Sequence, residues 1–98
     1  MNDKLRDPHA DYLFSAILAL ETPDECYRLF EDLCTAAELK SMAQRMQVAA
    51  LLDEGRTYAE IFEKTGVSTA TISRVNRSLE YGADGYQTVL NRLKEKDI

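Results

Sequence analysis

Apolar positions recur along this chain with the period of helices, and no stretch alternates as a half-buried strand would. Capping signals cut the pattern into six helices. Asp7-Pro8 opens the first, with Asp as N-cap and Pro at the first helical position. Its body, Tyr12 to Leu20, is apolar nearly all round. Such a helix cannot lie on the surface of a small monomer. It needs cover on several sides, and a second copy of the chain is the simplest supplier; the other arrangement is the central core helix of a monomer. Thr22-Pro23-Asp24-Glu25 is a capping box that opens a second helix, about Pro23 to Cys34, with Cys26, Leu29, Phe30 and Leu33 as its buried stripe. Thr35-Ala36-Ala37-Glu38 is a second box. It opens a third helix, about Ala36 to Glu54, with Leu39, Met42, Ala43, Met46, Ala49, Ala50 and Leu52 inward and Gly55 as the terminating residue.

Thr57-Tyr58-Ala59-Glu60 is the third box. The fourth helix, about Tyr58 to Thr65, closes at Gly66, and Ser68 caps a fifth from Thr69 to about Glu80. After Tyr81-Gly82, Asp84 caps a sixth helix, about Gly85 to Lys96, with Tyr86, Val89, Leu90 and Leu93 on one face; Lys94 to Ile98 are expected to fray. The fold class is therefore all-α in one domain. Residues 1–56 supply dimerisation helices, 57–80 a helix-turn-helix and 84–96 a carboxy-terminal helix. A helix-turn-helix needs about three helices, so the surplus apolar ones point to an extensive helical interface between two copies.

The helix-turn-helix rests on spacing. Ile61 and Val67 flank the turn, Gly66 supplies its left-handed position, and Ile72 faces back onto the fourth helix. Phe62 stands where many such motifs place alanine, which predicts an altered helix crossing. On the fifth helix Val67, Ile72, Val75 and Leu79 form the core side, leaving Ser68, Thr69, Ala70, Ser73 and Arg77 outside. Thr69, Ala70 and Ser73 are placed for base or groove contacts, and Ser68, Arg77, Lys64 and Arg56 for phosphate. The bland alternative for each is a solvated surface residue.

Composition sharpens this picture. The chain has 98 residues and a formal net charge of −5, which seems unsuited to nucleic acid, but residues 1–39 carry −6, 40–79 carry +2 and 80–98 carry −1. The basic excess lies in and before the motif, a modest footprint for salt-dependent DNA binding. No apolar run approaches the ~20 residues that span a bilayer. The amino-terminal sequence has no signal-peptide core, so a cytoplasmic location and no membrane partner are expected. Cys26 and Cys34, eight residues apart, would lie ~12 Å from each other on one helix, too far for a disulfide, and read as small core residues. With His9 the only histidine, no metal site is expected.

At this point the sequence resembles the Trp repressor family, most closely its YerC/YecD-type branch. The resemblance runs from about Leu33 to Leu79. It rests on Thr35-Ala36-Ala37-Glu38-Leu39, on Arg45 in Gln44-Arg45-Met46-Gln47-Val48, on Leu51-Leu52 followed by Gly55, and on Ala70-Thr71-Ile72-Ser73-Arg74 ending in Ser78-Leu79. It implies a six-helix fold in an interlocked homodimer. It also implies an effector site in which tryptophan lies between two arginines. The matching positions are Arg45 and Arg74, with Thr71 lining the site, Ser78 at its far end, and Leu33, Cys34 and Thr35 in the turn that holds the ligand's amino group. The departure is Val75, where the repressor has glycine; a β-branched side chain there intrudes on an indole. Three readings follow: no effector, a smaller amino acid in place of tryptophan, or a repositioned one.

The leading function is thus a dimeric, sequence-specific regulator of transcription, a repressor on double-stranded DNA, with its reading helices ~34 Å apart on a pseudo-palindromic operator. A second reading is a protein-interaction module on the same fold without specific DNA readout. A third is an enzyme using Arg6, Arg28 and Arg45, but no general acid/base pair accompanies them, and the glutamates Glu25, Glu38 and Glu60 are already explained as caps.

Overall fold

Each helix begins where the sequence supplies a group to satisfy its first free N–H donors. The structure, a computed structural model, describes residues 3–96, and among these it contains six α-helices, one 3-10 turn (Asp3–Leu5) and no strand. The helices are α1 (Pro8–Leu18), α2 (Pro23–Leu33), α3 (Ala36–Asp53), α4 (Tyr58–Thr65), α5 (Thr69–Tyr81) and α6 (Gly85–Lys96). The chain divides into two compact units, one ending at Leu39 and one beginning at Lys40, so the division falls within α3.

In the first unit Asp7 accepts the Ala10 N–H at 2.8 Å and Pro8 begins α1. The box before α2 closes differently from expectation. Thr22 accepts the Glu25 N–H at 3.1 Å, but the Glu25 carboxylate accepts the N–H of Glu21, at 2.8 Å, so the return bond lands one residue upstream. The box before α3 is reciprocal: Thr35 accepts from the Glu38 N–H at 3.1 Å and donates its own N–H to Glu38 at 2.8 Å.

No residue of α1 or α2 is buried. Tyr12 is 80% and Leu18 85% exposed, so α1 is not the central core helix of a monomer. The expected stripe of α2 is corrected as well: Leu29 and Phe30 are half-buried, whereas Cys26 and Leu33 are exposed, and Cys34 is only half-buried. Two short helices shield only the surfaces they turn to each other, and an all-round apolar helix needs cover from more directions.

The second unit holds the buried core: Val48, Ala49, Leu51, Ile61, Val67, Ile72, Val75 and Leu90, with Met46, Ala50, Leu52, Leu79 and Tyr86 packed against it. Each fully buried aliphatic side chain contributes about 1.5–3 kcal/mol. On α3 the buried positions are Val48, Ala49 and Leu51, while Met42 and Ala43 are exposed, so the predicted inward face is partly in the wrong phase. The run Val48 to Leu52 is apolar on every side, and periodicity cannot choose a face from it.

Gly55 ends α3 with φ 86°. α5 stops at Gly82, where a Cβ would collide with the Ser78 carbonyl oxygen. Asp84 takes a left-handed φ of 67°, and its carbonyl, not a carboxylate cap, holds the first turn of α6 by accepting the Thr88 N–H at 3.0 Å and the Thr88 hydroxyl at 2.9 Å. Lys94 does not fray: α6 continues to Lys96, and the Lys94 ammonium pairs with the Asp53 carboxylate at the end of α3. Residues 97–98 of the expected frayed tail lie outside the described residues. Leu90 is buried and Tyr86 half-buried, but Val89 and Leu93 are about half exposed.

Candidate nucleic-acid interface

The turn between α4 and α5 is closed by three short bonds. The Gly66 N–H donates to the Phe62 carbonyl at 2.8 Å with Gly66 at φ 74°, a conformation in which a side chain is strained although the space around it is open. The Thr65 hydroxyl donates to the Ile61 carbonyl at 2.7 Å and accepts the Val67 N–H at 3.1 Å. Ile61 and Ile72, both fully buried, lock the two helices together. Phe62 is 53% exposed, so its bulk is not wedged at the crossing and gives no cause for the altered angle expected from the sequence.

α5 separates its faces as the spacing predicts. Val67, Ile72 and Val75 are buried and Leu79 half-buried; Ser68, Thr69, Ala70, Ser73 and Arg77 are exposed together on the opposite side. The Ser68 hydroxyl is already committed. It accepts the Thr71 N–H at 3.2 Å and donates to the Thr71 hydroxyl at 3.1 Å. The backbone N–H groups of Thr69 and Ala70, at the start of the helix, are the donors best placed for an anion.

Arg56 and Lys64 stand beside carboxylates. Arg56 pairs with Glu60 at 3.3 Å, and a cavity of about 230 Å³ is lined by Arg56, Lys64, Glu60 and Glu63 above Leu51 and Ile61. Backbone and hydroxyl donors of Thr57, then Arg56, hold the Glu60 carboxyl below the usual carboxylate range; the Thr35 donors do the same for Glu38. Thr57 and Glu60 form a complete capping box.

A second cavity, of about 420 Å³, lies behind the reading face. Its walls are Ser41, Gln44, Arg45, Gly66, Val67, Ser68, Thr71, Arg74 and Val75. It brings together Arg45, Thr71 and Arg74 of the seven residues expected at an effector site. Of the others, Ser78, in the same unit, is not part of it. Ser78 lines a separate, largely apolar cavity of about 490 Å³ with Met46, Gly82, Tyr86 and Val89, and Thr35 belongs to the capping box of the first unit. Ser41 and Gln44 were not anticipated, although with Arg45 they follow the i, i+3, i+4 spacing of one helix face and were legible on that ground. Val75 is 2% exposed, so it serves as core and cavity wall at once. The Arg45 Nε donates weakly to the Ser41 carbonyl at 3.4 Å. Among the described residues no three His, Cys, Asp or Glu are placed to hold a metal ion, and no helix is long and apolar enough to cross a membrane.

Comparison with known proteins agrees with this architecture. The family profile described as Trp repressor protein matches residues 8–94. The uncharacterized protein YerC of Bacillus subtilis (strain 168) is 55% identical over 95 residues, which cover 97% of this chain and 91% of that protein. A Trp operon repressor homolog of Chlamydia caviae is 36% identical over 78 residues, covering 79% and 77%. The crystal structure of a TrpR like protein from Eubacterium eligens aligns with a TM-score of 0.91 at 57% identity over 95% of this chain and 96% of that one. A crystal structure from Staphylococcus aureus aligns with a TM-score of 0.91 at 52% identity, covering 96% and 95%.

Proposed function

Since the chain belongs to the Trp repressor protein family, a regulatory and not an enzymatic one, we propose that it is a dimeric, sequence-specific DNA-binding regulator that represses transcription from a pseudo-palindromic operator. The observation that carries this reading is the division of α5. A buried face anchors the helix to α4, and the opposite face leaves Thr69, Ala70 and Ser73 exposed beside Arg77. Thr69, Ala70 and Ser73 read base edges. Arg77 and Lys64 meet phosphates, and Arg56 does so by exchanging Glu60 for a phosphate oxygen. The Ser68 hydroxyl caps α5, so its contribution to phosphate is the N-terminal turn it holds open.

The first unit supports dimerisation. The exposed Tyr12, Phe14, Leu18 and Tyr27 form apolar surface that a soluble monomer would present to water. A second copy covers it, making 1–56 the pairing region of a single-domain, cytoplasmic protein. Arg45, Arg74 and Thr71 form an effector site that modulates DNA binding.

The test is sizing together with selection of bound genomic fragments at fixed low salt. The expected results are a species of twice the 11.1 kDa chain mass and enrichment of sites with two-fold symmetry. A stable monomer, or no enrichment with or without amino acids, would sink the reading. The net charge of −5 favours a second one, a protein-interaction module on this fold, which predicts the dimer but no retarded DNA.

A further inference from the structure

Phe62 stands where many helix-turn-helix motifs carry alanine, and the contacts assigned to the reading head leave its ring without a task. Between Thr57 and Glu80 the exposed large hydrophobic side chains are Phe62, at 53%, and Tyr58, at 37%. Four residues apart on α4, they share one flank of the helix. Ile61 is fully buried and Thr65 half-buried, which marks the inner side of α4. The helical period then puts Tyr58 and Phe62 on one flank. It puts Glu60 and Lys64, which line the charged cavity with Arg56, on the other. Phe62 sits at the crossing of α4 and α5, where its carbonyl accepts the Gly66 N–H that closes the turn. A ring half open to solvent at that crossing projects past it, beside the exposed face of α5.

The chemistry of the ring limits what it can touch. When a recognition helix lies in the major groove, the first helix of the motif crosses the backbone at the edge of that groove. A phenyl group offers no donor or acceptor to a phosphate oxygen. It does pack on the C5 methyl of thymine, which stands in the major groove. The face of α5 leaves such a contact something to add. Thr69, Ala70 and Ser73 are short, and none makes the two-point hydrogen bond by which Arg, Asn or Gln fixes a purine. Discrimination between sequences then leans on apolar contacts. A protein partner fits this flank less well. Two rings on an eight-residue helix fall far short of the roughly 800 Å² per side of a stable protein interface. Phe62 also lies outside residues 1–56, the pairing region.

We infer that Phe62 is a specificity-determining residue: its ring packs on the C5 methyl of one thymine in each half-site, with Tyr58 covering the same flank. The inference rests on the DNA-binding reading and deepens it, because a methyl group is read from α4 in addition to the base edges read from α5. Removing that methyl lowers affinity about fourfold per half-site, the worth of burying one such group.

Gel retardation of the full chain and of Phe62→Ala and Phe62→Leu variants tests it, on a duplex taken from the selected genomic fragments. Thermal midpoints and sedimentation are measured first, and Phe62→Leu carries the test if the alanine variant does not fold. Each thymine of the half-site is replaced in turn by uracil, which pairs alike but lacks the methyl. In the parent chain one position per half-site is expected to lose about fourfold on this exchange. Phe62→Ala should bind the thymine duplex more weakly by a similar factor and no longer distinguish thymine from uracil there, and Phe62→Leu should distinguish them less than the parent does. A variant that keeps the full uracil effect at every position overturns the inference, and so does a parent chain indifferent to all the exchanges. A change in sedimentation with sequence preference intact makes the ring a protein contact and also overturns it. If the parent chain enriches no fragment, the regulator reading fails and takes this inference with it, whereas enrichment without thymine dependence sinks this inference alone.

Discussion

The hydroxyl of Ser68 accepts the Thr71 N–H at 3.2 Å and donates to the Thr71 hydroxyl at 3.1 Å, so one side chain caps the reading helix and orients a wall of the cavity behind it. Removing it separates these roles. Ser68→Ala is expected to lower stability by about 1 kcal/mol, the usual cost of losing a serine N-cap, read from the urea midpoint. Ser68→Asp restores the cap acceptor but not the hydroxyl donor, and it places a negative charge at the amino terminus of α5. It should recover stability while weakening DNA binding. Recovery of both would show that this helix terminus does not face phosphate.

Val75 carries both packing and selectivity. Val75→Gly removes a buried side chain and places glycine inside a helix, for an expected loss of about 3 kcal/mol. The same substitution enlarges the cavity beside Arg45 and Arg74. Tryptophan affinity, measured by calorimetry at a temperature where the variant is folded, should rise above that of the parent chain. No rise would mean that Val75 is not what limits an indole.

Acid should weaken two capping boxes. The Glu38 and Glu60 carboxyls are held below 4.5 by donors of Thr35 and Thr57, so their contribution is fully present above about pH 4.5 and is lost as pH falls through their folded values. A Glu38→Gln, Glu60→Gln chain keeps box geometry without a titrating group. Its stability should fall less than that of the parent between about pH 5 and pH 3; equal slopes in urea titrations would remove these two residues from the acid response.

The outer face of α5 should sort by position. Arg77→Ala is expected to weaken all DNA sequences alike and reduce the salt slope by about 1, whereas substitution of Thr69 should change which sequence is preferred. Both are read from fragment selection at two salt concentrations. The same uniform loss for both would show that the face has been divided wrongly between base edges and phosphate.

Local chemistry was enough to fix the helices. The caps Asp7, Thr35, Thr57 and Ser68 and the turn glycine Gly66 act through groups three or four residues away, so their effect is readable from spacing alone. The same holds for the split of α5, because a helix with Ile72 and Val75 on one side must leave Ser73 and Arg77 on the other. Tertiary structure decided what local rules leave degenerate. It buried Val48 and Leu51 instead of Met42 and Ala43, because the α3 run around them is apolar on every side. It placed Arg45, Thr71 and Arg74 around one cavity and Ser78 around another, although Thr71 and Ser78 share a helix. It also paired Lys94 with Asp53 across 41 residues of sequence. Such contacts depend on which surfaces meet, and no periodicity within a single helix encodes that.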